Sequence, residues 1–157
     1  MEFVVLTDTH GETELIKKVL EKHKTIKNII FLGDVLSDLN FLNFSSYNIV
    51  CVKGNCDFFV NEQTEKVLKF KKVTLLVTHG HNFSVKSGTQ KLKEYAVNNG
   101  INVVLFGHTH KQYYRVEDGI TLINVGSLKT EKSYGILNIT DSHTKIDFLT
   151  LNGEEYK

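Results

Sequence analysis

An α/β domain of two packed sheets with outer helices is the fold this sequence predicts, and three observations point to it. Short apolar runs alternate with longer amphipathic ones over most of the chain, the pattern of strands alternating with helices. The C-terminal third changes to strand-like alternation interrupted by hairpin turn residues. At 157 residues the chain has the length of one domain, since domains run to roughly 100–200 residues, and no linker, repeat or charge run divides positions 1–157.

Phe3 to Leu6 is continuous and rich in β-branched residues, as a strand covered on both faces should be. Leu15, Ile16, Val19 and Leu20 recur at helical spacing among Glu and Lys, which predicts an amphipathic helix. Asn28 to Leu32 and Ile49 to Val52 read as the next two buried strands, with a short helix over Asp38 to Phe44 between them. Val73 to Val77 is another strand, and Lys71-Lys72 before it suits a tight turn from Val67 to Phe70. Ser87 to Asn99 reads as a helix stopped by Asn99-Gly100, and Val103 to Phe106 closes this series. Tyr113 to Val116 and Thr121 to Asn124 flank Asp118-Gly119, a strong short-range hairpin signal. A second hairpin is expected from Gly135 to Ile139 and Ile146 to Leu151 around Asp141-Ser142, so that the chain ends as a β-meander.

Composition excludes several classes. Nineteen basic residues against 18 acidic give a formal charge of +1, too little to draw the chain to extended nucleic acid or an anionic membrane. Of the cations only Arg115 is Arg, which argues against a phosphate clamp made of guanidinium groups. Lys17, Lys18, Lys22 and Lys24 read as the wet face of a helix rather than a nucleic-acid patch. Cys51 and Cys56 are too few for a disulfide framework. No apolar run approaches the ~18 residues of a membrane span, and no signal-like segment opens the chain. The expected location is cytoplasmic.

Metal-competent residues recur just after the apolar runs: Asp8 and His10, Gly33-Asp34, Gly54-Asn55, His79-Gly80-His81 and Gly107-His108-Thr109-His110. In α/β sheets ligands bind beyond the carboxyl ends of strands, so five strands deliver Asp, Asn and His side chains to one rim. Seven His occur in the chain and five of them fall in these motifs. Singly, each motif has a plain structural explanation: an N-cap, a turn, or an Asn that tolerates a left-handed backbone. Together, in order and at strand ends, they predict a metal site.

These residues resemble a known family. Asp8-x-His10, Gly33-Asp34, Gly54-Asn55-x-Asp57, His79-Gly80-His81 and Gly107-His108-x-His110 look like the signature of the calcineurin-like metallophosphoesterases. The short chain and its Gly-Asn-Cys-Asp form are most similar to the small bacterial and archaeal phosphodiesterases of that superfamily, over positions 8 to 127. The resemblance implies an αββα sandwich of two mixed β-sheets flanked by helices, with a binuclear site at the sheet rim. It implies Asp8, His10 and His110 on one metal, Asn55, His79 and His108 on the second, and Asp34 bridging. His81 would lie behind the ligands or near the substrate. Such N and O donors suit Mn²⁺ first, with Ni²⁺, Fe²⁺, Co²⁺ or Zn²⁺ as alternatives. Two dications against the carboxylates of Asp8 and Asp34 leave a doubly positive site, and a hydroxide reduces this to the single charge that matches a phosphodiester.

The implied reaction is hydrolysis of a small phosphodiester by a metal-bridging hydroxide, with Asp34 and Asn55 as catalytic ligands. Two departures from the family pattern stand out. Cys56 takes the place where larger members carry a His linked to leaving-group protonation, so His81 or Asp57 is the fallback donor and aryl esters are the expected favourites. Val125 stands where relatives often carry Pro. Phe58, Phe59 and Phe83 follow ligand motifs and read equally as a substrate wall or as core; Lys111 and Arg115 read as solvated positions or phosphate contacts. The alternatives are a non-catalytic scaffold of the same fold, as in a subunit of eukaryotic membrane-coat complexes, or a phosphomonoesterase or nuclease using the same metals. The Tyr113 to Asn124 hairpin offers an edge for a homo-oligomer.

Overall fold

A computed structural model describes residues 1–141 and 143–152. The chain forms two five-stranded mixed sheets with a helix on each outer face. The strands are β1 (Glu2–Leu6), β2 (Asn28–Phe31), β3 (Asn48–Cys51), β4 (Glu65–Phe70), β5 (Val73–Thr78), β6 (Val103–Leu105), β7 (Gln112–Glu117), β8 (Ile120–Val125), β9 (Ser133–Ile139) and β10 (Thr144–Thr150). The helices are α1 (Thr13–Lys22) and α2 (Gln90–Asn98). The first sheet runs β10-β9-β1-β2-β3 and the second β4-β5-β6-β8-β7. Each has a parallel centre, β1-β2-β3 and β5-β6-β8, with antiparallel neighbours.

The period of two along each strand sorts side chains between two cores. Phe3, Val5, Ile30, Leu32 and Val52 from one sheet meet Val73, Leu75, Val77, Val103, Leu105 and Ile123 from the other. The alternate residues Val4, Leu6, Ile29 and Phe31 face outward and are covered by Ile16, Val19 and Leu20 of α1. Leu76, Val104 and Leu122 are covered in the same way by Leu92 and Ala96 of α2. Fully burying each such side chain contributes about 1.5–3 kcal/mol. The central strands are therefore apolar on both faces, which is why they read as unbroken runs.

Three expectations need correction. The stretch Asp38 to Phe44 holds no α-helix: a single 3-10 turn spans Leu36–Leu39, and Asp38 there accepts hydrogen bonds from the Thr9 hydroxyl and the Gly11 amide at 2.6 and 2.8 Å. The helix expected from Ser87 begins at Gln90, after a 3-10 turn over Val85–Ser87, because Gly88 adopts φ 137°, outside helical space. The terminal strands form no continuous meander, since β7-β8 belongs to one sheet and β9-β10 to the other. Lys71-Lys72 does turn β4 into β5, and Asp118-Gly119 turns β7 into β8. Ser142 of the second hairpin turn lies outside the described residues. No described helix is long and apolar enough to cross a membrane.

Candidate metal centre

Because β1, β2 and β3 are parallel to one another, as are β5 and β6, the loops after these strands gather at one rim. Asp8, His10, Asp34, His108 and His110 all have positive φ, between 45 and 69°. Asp and His enter this left-handed region more readily than most residues, yet each such position costs of order 1–3 kcal/mol and is held only by its surroundings. The surroundings here are hydrogen bonds. The Asp8 amide donates to the Gly33 carbonyl at 3.2 Å, and the Ser127 hydroxyl donates to the Asp8 carbonyl at 2.9 Å.

Asp8 is fully buried. Its Oδ2 accepts from the Thr7 hydroxyl at 2.7 Å and the His108 amide at 3.0 Å, which fixes the carboxylate plane. Its Oδ1 has no hydrogen-bond donor among the described residues and faces His110 Nε2 at 3.1 Å and His10 Nε2 at 3.9 Å. His10 Nε2 is likewise buried without a hydrogen-bond partner among the described residues and lies 3.6 Å from Asp34 Oδ2.

Asp34 stands between two halves of the site. The Cys56 amide donates to its Oδ1 at 3.0 Å, leaving Oδ2 facing His79 Nε2 at 3.4 Å. A Cβ on Gly54 would overlap Asp34 Oδ1, and one on Gly107 would overlap Thr7 Oγ1 and approach Asp8 Oδ2 to 2.9 Å. Both carboxylates thus pack against bare backbone. Burial opposes the charge on Asp34, but the His79 hydrogen bond and charge and the Cys56 amide hold its carboxyl well below the usual range.

On the other side, His79 Nδ1 lies 2.8 Å from the Leu32 carbonyl. A carbonyl only accepts, so Nδ1 carries the proton and Nε2 points into the site. Around that nitrogen lie Asn55 Oδ1 and His108 Nδ1, each at 3.2 Å. Burial lowers the basicity of His79, but Asp34 and Asp8 override it and raise the ring above its ordinary value. His108 moves the opposite way, to about 4, through burial and then the charges of His79 and Lys86.

The donor atoms fall into two close groups that share Asp34: Asp8, His10, Asp34 and His110, and Asp34, His79 and His108. Asn55 joins the second through its contact with His79. His81 enters neither; its ring centroid is 5.4 Å from His79 and 6.2 Å from His108, and Nδ1 is buried without a hydrogen-bond partner among the described residues. Burial and the charge of His79 lower its basicity. Cys56 is exposed, its thiol pushed up by burial and by Asp34. Asp57 is buried and its carboxylate accepts from three amides, those of Leu36, Gly54 and Asp34.

Phe58 and Phe59 are exposed beside this loop, whereas Phe83 packs on Tyr95 with ring centroids 5.1 Å apart. Thr7, Asp38 and Asn124 are parts that sequence reasoning missed. Asn124 Nδ2 donates to the Gly107 carbonyl at 2.9 Å and Thr109 Oγ1 at 3.1 Å, bracing the His108–His110 loop. Only the Thr7-Asp8 adjacency carried a local signal for any of these.

The donor set fits divalent cations. Two carboxylates, an amide oxygen and four imidazoles converge, and buried Asp8 Oδ1 and His10 Nε2 have no hydrogen-bond partner among the described residues, an arrangement that is costly in the absence of a counter-charge.

Comparison with known proteins agrees with the geometry. The family model of the calcineurin-like phosphoesterase superfamily domain matches residues 1–145. A probable metallophosphoesterase of Bacillus subtilis is 29% identical over 161 residues, covering 99% of this chain and 94% of that protein. A phosphodiesterase of Methanocaldococcus jannaschii is 25% identical over 145 residues, covering 80% of this chain and 83% of its own length. Among solved structures, a predicted phosphoesterase of Streptococcus pneumoniae superposes with TM-score 0.79 at 27% identity, covering 99% of this chain and 92% of that one. Vps29 of Entamoeba histolytica complexed with zinc has the same fold, with TM-score 0.76 at 22% identity and coverage of 96% and 93%.

Proposed function

The chain belongs to the calcineurin-like phosphoesterase superfamily, and from that membership we propose that it is a metal-dependent hydrolase of a small phosphodiester. The observation that carries the reading is the pair of donor groups meeting at Asp34, with Asp8 Oδ1 and His10 Nε2 buried and without a hydrogen-bond partner among the described residues. Asp8, His10 and His110 would hold one divalent ion, Asn55, His79 and His108 a second, and Asp34 would bridge them. Manganese is the first candidate, with nickel, iron, cobalt and zinc compatible with the same N and O donors. Two such ions supply Lewis acidity, lowering the pKa of water and stabilising charge on the phosphoryl oxygens.

The protein's own groups set the geometry. The Leu32 carbonyl fixes the tautomer of His79, the Thr7 hydroxyl and His108 amide fix Asp8, and the Cys56 amide fixes Asp34. Asp57 is assigned to holding the two turns together, because its oxygens are taken by three amides. The proton for a departing oxygen is assigned to His81 or, weakly, to the Cys56 thiol, which stays protonated near neutrality. His81, its basicity lowered, carries little of the second proton near neutrality, and the Cys56 thiol is a weak acid, so aryl leaving groups are favoured. The name of the Methanocaldococcus relative supports a diester rather than a monoester.

Likeness to Vps29 shows the fold alone, and the fold by itself does not discriminate a hydrolase from the non-catalytic scaffold that the sequence leaves as an alternative. The complete donor set favours the hydrolase. Metal-stripped protein reconstituted with single divalent ions should hydrolyse bis(p-nitrophenyl) phosphate faster than p-nitrophenyl phosphate. Monoester preference would make it a phosphomonoesterase, and silence with every ion would favour a non-catalytic role.

A further inference from the structure

An open cavity of about 420 Å³ adjoins the metal-ligand loop, with Val85 and Phe106 as its floor and Lys86, Thr109, Tyr113 and Arg115 among its walls. Thr109 lies between the ligands His108 and His110, so one wall of the cavity is part of the metal-ligand loop itself. Lys86 is near enough for its charge to act on the His108 ring, and it makes no ion pair among the described residues. Arg115, the chain's one arginine, lies 5.7 Å over the Tyr113 ring with its side chain 60% exposed. It bonds Glu117 at 3.0 Å, but Glu117 is shared with Lys93. Among the described residues, no acidic side chain lines the cavity.

The volume lies within the range of small-ligand sites, roughly 300–1,000 Å³. Its chemistry is that of an anion subsite over an apolar floor. Lys86 offers a point charge, Arg115 a planar fork matched to phosphate or carboxylate, and the Thr89 and Tyr113 hydroxyls, 3.3 Å apart, offer further donors. We infer that this cavity receives one arm of the phosphodiester, and that the arm bears a second anionic group, a phosphate or a carboxylate. The inference rests on the hydrolase reading and narrows its substrate class. The carbon skeleton of the arm lies on Val85, Phe106 and Tyr113, while Lys86 and Arg115 hold its terminal anion.

The test uses p-nitrophenyl phosphodiesters with the same leaving group and three second arms: ethyl, 2-carboxyethyl and 2-phosphonooxyethyl. The loaded protein should prefer an anionic arm about tenfold or more in kcat/KM, the effect of one charge-assisted hydrogen bond. The preferred arm identifies the anion. In Lys86→Ala and Arg115→Ala the ratio of anionic to ethyl ester should fall toward one, and in the parent it should shrink with added salt. A ratio near one in the parent, or one that survives both substitutions, overturns the inference while leaving the hydrolase reading intact. If no ester is hydrolysed the hydrolase reading fails, and the subsite is then judged on the metal-free protein. Calorimetry should show inorganic pyrophosphate binding there, lost in the Lys86→Ala/Arg115→Ala double variant; no binding, or binding that survives, overturns it.

Discussion

Asp57 holds Asp34 by its backbone: the Asp34 amide donates to Asp57 Oδ2 at 3.0 Å, and the Gly54 amide donates to the same oxygen at 2.8 Å. One carboxylate oxygen therefore ties the turn after β2 to the turn after β3. A Cβ at Gly33 would come within 2.5 Å of the Gly54 nitrogen, so the two turns are in backbone contact. Asp57 Oδ1 also takes the amide of Leu36 at 2.7 Å, beyond Val35, which sits at φ 72°. That region is strained for a β-branched residue, and the carboxylate stabilises it from both sides.

Asp57→Asn turns an amide NH₂ or a single oxygen toward three donors. The expected cost is about 2–4 kcal/mol in stability, with metal affinity falling about 10–100-fold. Denaturant unfolding and calorimetric titration with Mn²⁺ measure the two. Loss of turnover with stability and metal affinity intact would instead assign Asp57 to the chemistry.

Gly54→Ala and Gly107→Ala should each lower metal affinity by at least about tenfold, because the added methyl displaces Asp34 in one case and Thr7 with Asp8 in the other. Gly119→Ala is the contrast: its Cβ meets nothing within 4 Å, and although φ +77° strains the turn, Mn²⁺ titration should read the parent affinity. Equal affinities across all three variants would contradict the packing argument.

The Asp34–His79 pair sets the pH dependence of the metal-free protein. Asp34 is depressed on folding, so its contribution is present above the unfolded value of ~3.9 and lost as pH falls through its folded value. His79 is raised, so its contribution is full below ~6.5 and lost as pH rises through its folded value. Ligation needs His79 without its second proton. The Tm gain on adding Mn²⁺ should therefore widen between about pH 5 and 8, reaching roughly 5–10 °C when the ion is at about a hundred times its Kd. A gain that is flat across this range, followed by scanning calorimetry, would exclude proton competition at His79.

Cys56→His should improve turnover of diesters with alkyl leaving groups more than those with aryl leaving groups, since only the former need a proton on departure. The thiol is exposed and pushed up by burial, Asp34 and Asp57, making it a weak donor near neutrality. The ratio of kcat/KM for paired alkyl and aryl diesters measures the effect. An unchanged ratio would show that leaving-group protonation does not limit the reaction.

Much of the molecule is legible from local order because buried parallel strands write themselves as apolar runs. Each ligand motif follows its run directly, as Asp8 follows Leu6 and His108 follows Phe106. Even the helix errors are informative. Gly88 delays the start of α2 from Ser87 to Gln90, and Asp38 sits in a 3-10 turn rather than an α-helix, held by Thr9 and Gly11, partners 29 and 27 residues away.

The residue types and their places after the strands were determined by the linear sequence alone, because side-chain period and turn chemistry act over a few residues. Which donors share a cation position, why Asp57 spends its oxygens on amides, and that Lys86 and Arg115 border one cavity were decided only by tertiary structure. Those relationships join residues tens of positions apart. They depend on strand order and on backbone contacts such as Gly33 against Gly54, which no local pattern encodes.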